Sequence, residues 1–585
     1  MVLFSAFILP LLIALLCLAL NRVVATRLLG YAAAAALLAS ALLLAVAGGR
    51  NELALFERLW MGVENQTFSV SLAFDQASLP FAVLVAAGGA VCMLALALAL
   101  PARLREFGGL IAVLLVLLVA TLVGLALREA VMLPLIWAAL PILSFVARRA
   151  SGGQADSQAL PVGLLGNLFG ALMLLGAALS TQFREAGAAV PDVALVGLLV
   201  AALLALGLPP FHRAFHDIAD APANVAAPIL AFGLSLVAGF TLLRFAAQTP
   251  LPEGGRLALQ IIGLAAVVIC GAGALGEHRL RRLIGWQTSA QFGLLLVAGG
   301  QTPLALATIA PAMLVNIALV ACTALLAVGL IERRAGSDDL RQIQLRAPLL
   351  LPATALLIAA ASAIGVPGTW GFWPLRWLFD ELRTSNPLLI GPLLAGATLL
   401  ALAWLVPLAA FLRAPEQPEP SSTTPWAAAL CPLLAALPLV VFGIGPALAW
   451  NSWGAGIRLA LLPLTPTTLN DPSLPGLVGQ IGGALGLVAL LTFVLWLRTR
   501  STRHTLADSE LPGAPVMTPD GLGESLRGLA TLGAPSSVFN WLWQGMIAAS
   551  RGAAWALSFF EQRFFMAGLM IAVIAVILLL MQGQG

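Results

Sequence analysis

The most constraining feature of this chain is a series of apolar stretches, each about 18 to 25 residues long, that recurs from one end to the other. A stretch of this length crosses about 30 Å of hydrocarbon as a helix, and the helix satisfies its own backbone polar groups. Since 61% of the residues are hydrophobic and 10% are charged, we predict an all-α polytopic membrane protein with about 14–16 transmembrane helices. The predicted spans begin near residues 2, 28, 79, 108, 130, 159, 190, 224, 256, 282, 303, 348, 387, 427, 476 and 564.

The charged residues fall mainly in the connections between these predicted spans. The chain has no lysine, so all 30 of its basic residues are arginines, and its formal net charge of +4 gives no support to nucleic-acid binding. Clustered arginines predict that the odd-numbered connections are cytoplasmic and that both termini lie on the opposite side. The clustered arginines are Arg22, Arg27, Arg103, Arg105, Arg148, Arg149, Arg279, Arg281, Arg282, Arg333, Arg334, Arg341 and Arg346.

Composition divides the chain into four predicted regions. They are a transmembrane domain at 1–497, a polar linker at 498–537, an interfacial amphipathic helix at 538–563 and a final transmembrane helix at 564–585. Aromatic residues of the third region, such as Trp541 and Trp543, suit the boundary between water and lipid. Residues 68–75 alternate polar and apolar side chains, which predicts an extramembrane hairpin.

Two groups of helix-breaking residues lie inside or beside predicted spans. They are found at 208–212, with the sequence LPPFH, and at 366–369, with the sequence VPGT. Proline removes a backbone donor and interrupts a helix, and discontinuous membrane helices are typical of ion and substrate paths. We therefore expect discontinuous helices at both places.

A polar segment follows the first break. His212, His216 and Asp220 are spaced four residues apart, so a helix would place them on one face, with Asp217 beside them. Three interpretations are open: a metal site, a polar antechamber leading into the membrane, and a short helix between two spans whose polar groups satisfy the helix ends. The prolines at both ends of the segment favour the short helix, so neither a metal site nor a cofactor site is predicted.

Few polar residues lie within the predicted spans. The candidates for buried positions are Asn167, Gln287, Gln291, Asn316 and Arg376. A charge at membrane depth is a functional hypothesis by default, although Asp380 lies one turn after Arg376 and could neutralise it. The five cysteines lie inside apolar runs without paired spacing, so disulfide, zinc and iron–sulfur roles are not predicted.

Several segments resemble, in order, one known family. They are FDQAS at 74–78, PFHRAFHDIADAP at 210–222, RRLIGWQTSAQFGL at 281–294, residues 314–333 ending in Glu332-Arg333, and VPGTWGF at 366–372. These segments are similar to motifs of the antiporter-like membrane subunits shared by respiratory complex I, membrane-bound hydrogenases and Mrp cation/proton antiporters. The resemblance covers roughly residues 70–380 and implies the antiporter-like fold of the complex I membrane arm.

The resemblance also implies a proton path, which this sequence does not keep. Along its central axis the family has a glutamate, then two lysines, and then a lysine or a second glutamate. The matching positions here are apolar: Ala138, Ala205, Leu236 and Leu375. The positions of two family histidines hold Gln291 and Asn316, which form hydrogen bonds but do not titrate.

From the sequence we predict an antiporter-like membrane subunit of a complex I-type or hydrogenase-type assembly, with its own proton path lost and no redox chemistry of its own. Its predicted partners are other membrane subunits and the lipid of a bacterial inner membrane. One alternative is a working cation/proton transporter with a path rerouted through His212, His216, Asp217 and Arg376. Another is a structural scaffold of a different bioenergetic supercomplex.

Overall fold

A computed structural model describes residues 2–50, 54–63, 66–100, 107–151, 160–182, 192–248, 251–340, 343, 349–411 and 426–449. The predicted spans near residues 476 and 564, the polar linker and the interfacial helix lie outside these residues. Within them, eleven helices are long and apolar enough to cross a membrane, and two shorter apolar helices accompany them.

Long helices account for nearly all of the described chain, as the apolar stretches predict. Each of the first fourteen predicted starts lies within about three residues of the start of a helix or of the short 3-10 turn Pro387–Leu389. The helices are α1 Val2–Ala19, α2 Thr26–Gly49, α3 Leu79–Ala99, α4 Gly108–Ala126, α5 Leu133–Ala150, α6 Leu160–Gln182, α7 Asp192–Ala205, α8 Arg213–Ala219, α9 Ala223–Phe232, α10 Leu234–Gln248, α11 Glu253–Gly276, α12 Leu280–Gly299, α13 Pro303–Ala335, α14 Leu350–Ile364, α15 Phe372–Ser385, α16 Ile390–Phe411, α17 Trp426–Ile444 and α18 Pro446–Ala449.

The predicted hairpin is present between α2 and α3. Strands β1 (Ala54–Val63) and β2 (Gln66–Ala73) pair antiparallel, with register shifts that mark irregular pairing. Arg128, just after α4, donates its backbone N–H to the Ser71 carbonyl at 3.2 Å, which ties the hairpin to the end of the neighbouring helix.

Both proline-containing segments interrupt helices, as predicted. Helix α7 ends at Ala205, and the short helix α8 begins only after an irregular stretch that contains Pro209 and Pro210. The second break separates α14 from α15, and there Gly365 adopts a left-handed conformation with φ of 77°. A third break, at Gly233 between α9 and α10, was not predicted, because the sequence around it is continuously apolar.

The odd-numbered connections lie together at one end of the helices. Arg281 after α11 bonds to Asp220 after α8 and to Glu332 near the end of α13. Arg333 donates to the Ala99 carbonyl at the end of α3 at 2.6 Å. These contacts agree with the prediction that the connections share one face, here called the arginine-rich face.

The even-numbered connections meet at the opposite end. Arg244 near the end of α10 pairs with Asp75 after β2 and donates to the Leu127 carbonyl after α4 at 3.2 Å. On the same side, Ser385 donates to Gln301 at 3.0 Å and so joins the end of α15 to the end of α12. Successive spans therefore run in opposite directions through the bundle.

Helix α13, with 33 residues, forms the centre of the described bundle. Of the residues in its apolar stretch, 94% are buried. Helix α13 packs against α9, α10, α12, α14, α15 and α17. The side chain of Cys322 on α13 lies 3.5 Å, sulfur to sulfur, from that of Cys92 on α3, and both cysteines are free and buried.

This close pair allows a direct test of the packing. We expect a membrane-permeant oxidant such as iodine to join Cys92 to Cys322, because the two sulfur atoms are already in contact. Peptide mass spectrometry of non-reduced protein would detect the link, and the buried Cys17 and Cys270 serve as controls that should stay free. A link from Cys17 or Cys270 in place of the expected one would contradict the packing of α3 on α13.

Candidate functional site

The four positions that the resemblance identifies are buried or partly buried in the bundle. Ala205 lies at the end of α7 and Leu236 near the start of α10, and both are buried. Ala138 on α5 and Leu375 on α15 are partly buried and pack against the hydrophobic core. None of these side chains can carry a proton.

A small cavity whose lining includes several polar side chains lies beside Ala205. Its volume, counted as the space open to the centres of water molecules, is about 30 Å³. Its lining reaches from the end of α5 and the start of α6 to Ser235 at the α9–α10 break. The remaining lining residues are Pro141, Ser144, Arg148, Gly163, Leu164, Asn167, Ala214, Phe215, Asp217, Ile218, Ile229 and Leu234.

Arg148 is the charged residue on the α5 wall of this cavity. The sequence pattern assigned it to a loop, but α5 continues to Ala150 and the Arg148 side chain is buried, with 8% of its surface exposed. Positions 141, 144 and 148 share one helix face, so Arg148 is directed toward the cavity that Pro141 and Ser144 also line. Its Nε donates to the Ser144 carbonyl at 3.4 Å, whereas its buried Nη1 has no hydrogen-bond partner within the described structure.

Asp217 faces Arg148 from α8, in the connection between α7 and α9. Its carboxylate lies 3.8 Å from Arg213 and keeps 16% side-chain exposure. Burial raises the pKa of Asp217 to about 6, against the opposing effect of Arg213 and Arg148, while nearby Asp220 adds to the increase. Asp217 is therefore a carboxyl group that changes charge close to neutral pH.

His212, at the N-terminus of α8, and His216, within α8, form an aromatic cluster with Trp286 on α12. The His212 ring stacks on Trp286 at 4.4 Å between centroids, and the His216 ring meets Trp286 edge-on at 4.4 Å. Burial, and then the charge of Arg213, lowers the pKa of His212 to about 4. Burial also lowers the pKa of His216, as do His212 and Arg282. Both rings are consequently neutral at pH 7 and hold α8 against α12.

Asp220, the last of the predicted polar group, belongs to a separate ion-pair network at the arginine-rich face. Arg282 Nη2 lies 2.9 Å from its carboxylate, and Arg279 Nη1 lies 3.4 Å away. Arg281 joins the same network from its buried side and contacts Asp338 and Glu332 at 3.2 and 3.1 Å. This network fixes the connection after α8 to the start of α12 and the end of α13.

The predicted polar residues of the later spans lie apart from the cavity lining and stabilise breaks and helix contacts. Asn316 on α13 accepts from Ser362 Oγ at 2.7 Å, and Ser362 Oγ accepts from the Gly371 N–H at 3.0 Å, which closes the break between α14 and α15. Gln287 on α12 accepts from Trp404 Nε1 on α16 at 2.9 Å. Gln291 is buried on the same helix, and its Oε1 has no partner among the described residues.

Arg376 occupies a different environment from the other candidates. Its side chain is 45% exposed and lies 3.8 Å from Asp380, one turn along α15. The structure therefore unites Asn167 and Asp217 at the cavity and places His212 and His216 beside it, and it leaves Arg376 on an exposed helix face. In the described part of the chain, no group of three His, Cys, Asp or Glu residues is arranged to hold a metal ion.

Sequence reasoning missed Arg148, Ser235 and Ser362. An arginine near the end of an apolar stretch gives no sign of which way its side chain points. The i, i+3 and i+7 spacing of Pro141, Ser144 and Arg148 was the available signal, since non-apolar residues on one helix face indicate a polar environment. The two serines lie beside helix breaks, and only Gly233 marks the break beside Ser235.

The fold and the polar residues at its helix breaks define a polytopic membrane protein of the antiporter-like class. The model of the transmembrane family described as NADH:quinone oxidoreductase/Mrp antiporter matches residues 158–400. The resemblance recognised from the sequence is thus confirmed, and this part of the chain is similar to the transmembrane domain of that family.

Individual relatives come from three kinds of complex. The chain is 29% identical over 339 residues to NADH-quinone oxidoreductase subunit N 1 of Streptomyces griseus, covering 52% of this chain and 68% of that protein. It is 27% identical over 317 residues to formate hydrogenlyase subunit 3 of Escherichia coli, covering 48% and 50%. A chain of the Mrp complex from Dietzia sp. DQ12-45-1b shares the fold, with a TM-score of 0.68 and 21% identity, over 91% of this chain and 60% of that one.

Proposed function

We propose that the chain is an antiporter-like membrane subunit of a complex I-type or hydrogenase-type assembly in which its own proton path is interrupted. It occupies a place in the membrane arm, seals it and contacts neighbouring subunits. The same proposal places it in a bacterial inner membrane with the arginine-rich face toward the cytoplasm, because basic connections favour that side.

The observation that carries this proposal is that Ala138, Ala205, Leu236 and Leu375, at the proton-path positions of the resemblance, are apolar and buried or partly buried. A proton path at membrane depth needs ionisable side chains that titrate, and ordered water can connect them. Ala205 borders the cavity, Leu236 is buried beyond it, and Gln291 and Asn316 cannot exchange protons near neutral pH. Arginine cannot substitute for a lysine that must lose its proton, since the guanidinium stays charged at any accessible pH.

The alternative is a transporter that uses His212, His216, Asp217 and Arg376. Two observations weigh against it. Both histidine rings are neutral and packed on Trp286, and Arg376 is exposed on α15. Arg376 thus pairs with Asp380 on its own helix, whereas the two histidines pack on Trp286 of α12.

The test begins with the partners. Tagged protein isolated under native conditions should carry other antiporter-like membrane subunits, identified by mass spectrometry, and these should have lysines at the positions of Ala205 and Leu236. The isolated assembly is then placed in vesicles, and proton movement is followed with a pH-sensitive dye.

We expect His216→Gln and Arg376→Gln assemblies to move protons at the rate of the unmodified assembly, because the proposed role needs no path through these residues. Native gels of each variant provide the control for assembly. A loss of most of the proton movement in either variant, with the complex intact, would show that a rerouted path operates. Isolation of the chain without membrane partners would contradict the assembly role itself.

A further inference from the structure

The guanidinium of Arg148 has an unsatisfied donor inside the cavity beside α5. Its Nη1 is buried and has no protein partner among the described residues, although 92% of the residue's surface is removed from solvent. A buried charged donor without a partner is energetically costly, so such a group normally bonds to ordered water. The cavity therefore requires an occupant that accepts a hydrogen bond.

The lining of the cavity limits what this occupant can be. A volume of about 30 Å³ for water centres admits one or two waters, and it is too small for a phosphate or an organic anion. A metal cation would face the Arg148 charge and would find one carboxylate, from Asp217. The hydroxyls of Ser144 and Ser235 already donate to the carbonyls of Leu140 and Leu230, so their oxygens remain available as acceptors.

We propose that the cavity is a water site in which ordered water bridges Arg148 Nη1 to the Asp217 carboxylate and lets Asp217 exchange protons with the arginine-rich face. Water accepts from the guanidinium and donates to the carboxylate, so it satisfies both groups. Ala205 on α7 and, at the α9–α10 break, Ile229 and Leu234 belong to the apolar part of its lining. This proposal goes beyond the proposed function, because a site open toward one face moves no proton across the membrane by itself.

The charges that face Asp217 come from each element around it. They are Arg213 on α8, Arg148 on α5, Asp220 after α8 and Arg282 on α12, while α6 faces it with Gly163 and contributes Asn167 to the wall. The three arginines hold the pKa of Asp217 at about 6 against the increase that burial and Asp220 cause. The bridging water provides the route by which a proton reaches it.

Radiolytic footprinting tests for the water, because hydroxyl radicals formed from ordered water oxidise the side chains in contact with it. Phe215 lines the cavity, whereas Phe292 packs against Phe215 with ring centroids 5.8 Å apart and is not part of the lining. Both rings are buried, so they form a matched pair. We expect Phe215 to be oxidised several-fold faster than Phe292 in the unmodified chain, and Arg148→Met to remove most of that difference.

Infrared difference spectra provide a second measurement, which needs no translocation assay. We expect a carboxyl C=O band that appears as the pH falls through about 6, is lost in Asp217→Asn and moves to higher pH in Arg148→Met, where a stabilising cation is gone. The proposal is overturned if Phe215 and Phe292 are oxidised equally in the unmodified chain. It is also overturned if Asp217→Asn leaves every carboxyl band between pH 5 and 8 unchanged.

Discussion

Arg281→Gln is expected to lower the free energy of unfolding by about 3–5 kcal/mol, the usual cost of breaking a buried, multiply bonded ion pair. The Arg281 side chain is 10% exposed. Its Nη1 donates to the carbonyls of Asp220 and Ala221 at 3.0 and 2.8 Å, and its other nitrogens contact Asp338 and Glu332. Glutamine is too short to reach these four groups, so two carboxylates and two carbonyls lose a partner.

Thermal unfolding of the protein in detergent measures this effect, and size-exclusion chromatography monitors the loss of folded protein. The matched control is Arg376→Gln, which removes a pair whose side chains are 45% and 66% exposed and should cost about 0–1 kcal/mol. Equal stability of the Arg281 and Arg376 variants would contradict the proposed fixing of α8 by this network.

The network also shows what sequence reasoning could and could not predict about arginines. Their clustering in odd-numbered connections predicted that these connections share one face, and the contacts between Asp220, Arg281 and Glu332 agree. The pattern could not distinguish buried arginines from exposed ones. Arg148 and Arg281 are directed inward and Arg376 outward, and this difference depends on helix ends and neighbours that are distant in sequence.

The spans and two of the breaks were predictable for a physical reason. A membrane helix needs an apolar stretch of sufficient length, and proline interrupts its hydrogen bonds, so both features appear directly in the sequence. The break at Gly233 has no such signal, because Ile229, Leu230 and Leu234 around it are as apolar as a continuous helix. There the tertiary packing decides: the Ser235 hydroxyl bonds to the Leu230 carbonyl that the break leaves free.

The candidate site was predictable in part. The resemblance identified Ala205, and the polar segment identified Asp217 and its neighbours, but nothing in the sequence joined them to Arg148. The cavity exists because six helices meet at one place, and α5 brings Arg148 there from about 70 residues away in sequence. Sequence reasoning therefore recovers the residues on one segment and misses the side chain that a neighbouring helix supplies.

Gly371→Ala is expected to destabilise the protein by roughly 1–3 kcal/mol or more, because there is no room for a methyl group at the break between α14 and α15. The backbone of Gly371 is helical, so alanine fits its conformation, but the added Cβ would overlap the carbonyl oxygen of Ser362. That carbonyl cannot move freely, since it accepts from Asn316 at 3.4 Å while the Ser362 hydroxyl bonds to Asn316 and Gly371. The substitution must therefore separate the two halves of the broken span.

Two further variants isolate this effect in the same unfolding assay. Gly176→Ala lies in the middle of α6 with nothing within 4 Å of the new methyl, so it should stabilise the helix by about 0.5–1 kcal/mol. Ser362→Ala removes the hydroxyl bonds but not the carbonyl, and it should cost about 1 kcal/mol, less than Gly371→Ala. If Ser362→Ala is the more damaging of the two, the break is held by the hydroxyl bonds rather than by the close approach of the backbones. The closure of the break between α14 and α15 would then depend on Asn316 and Ser362 and would tolerate a side chain at position 371.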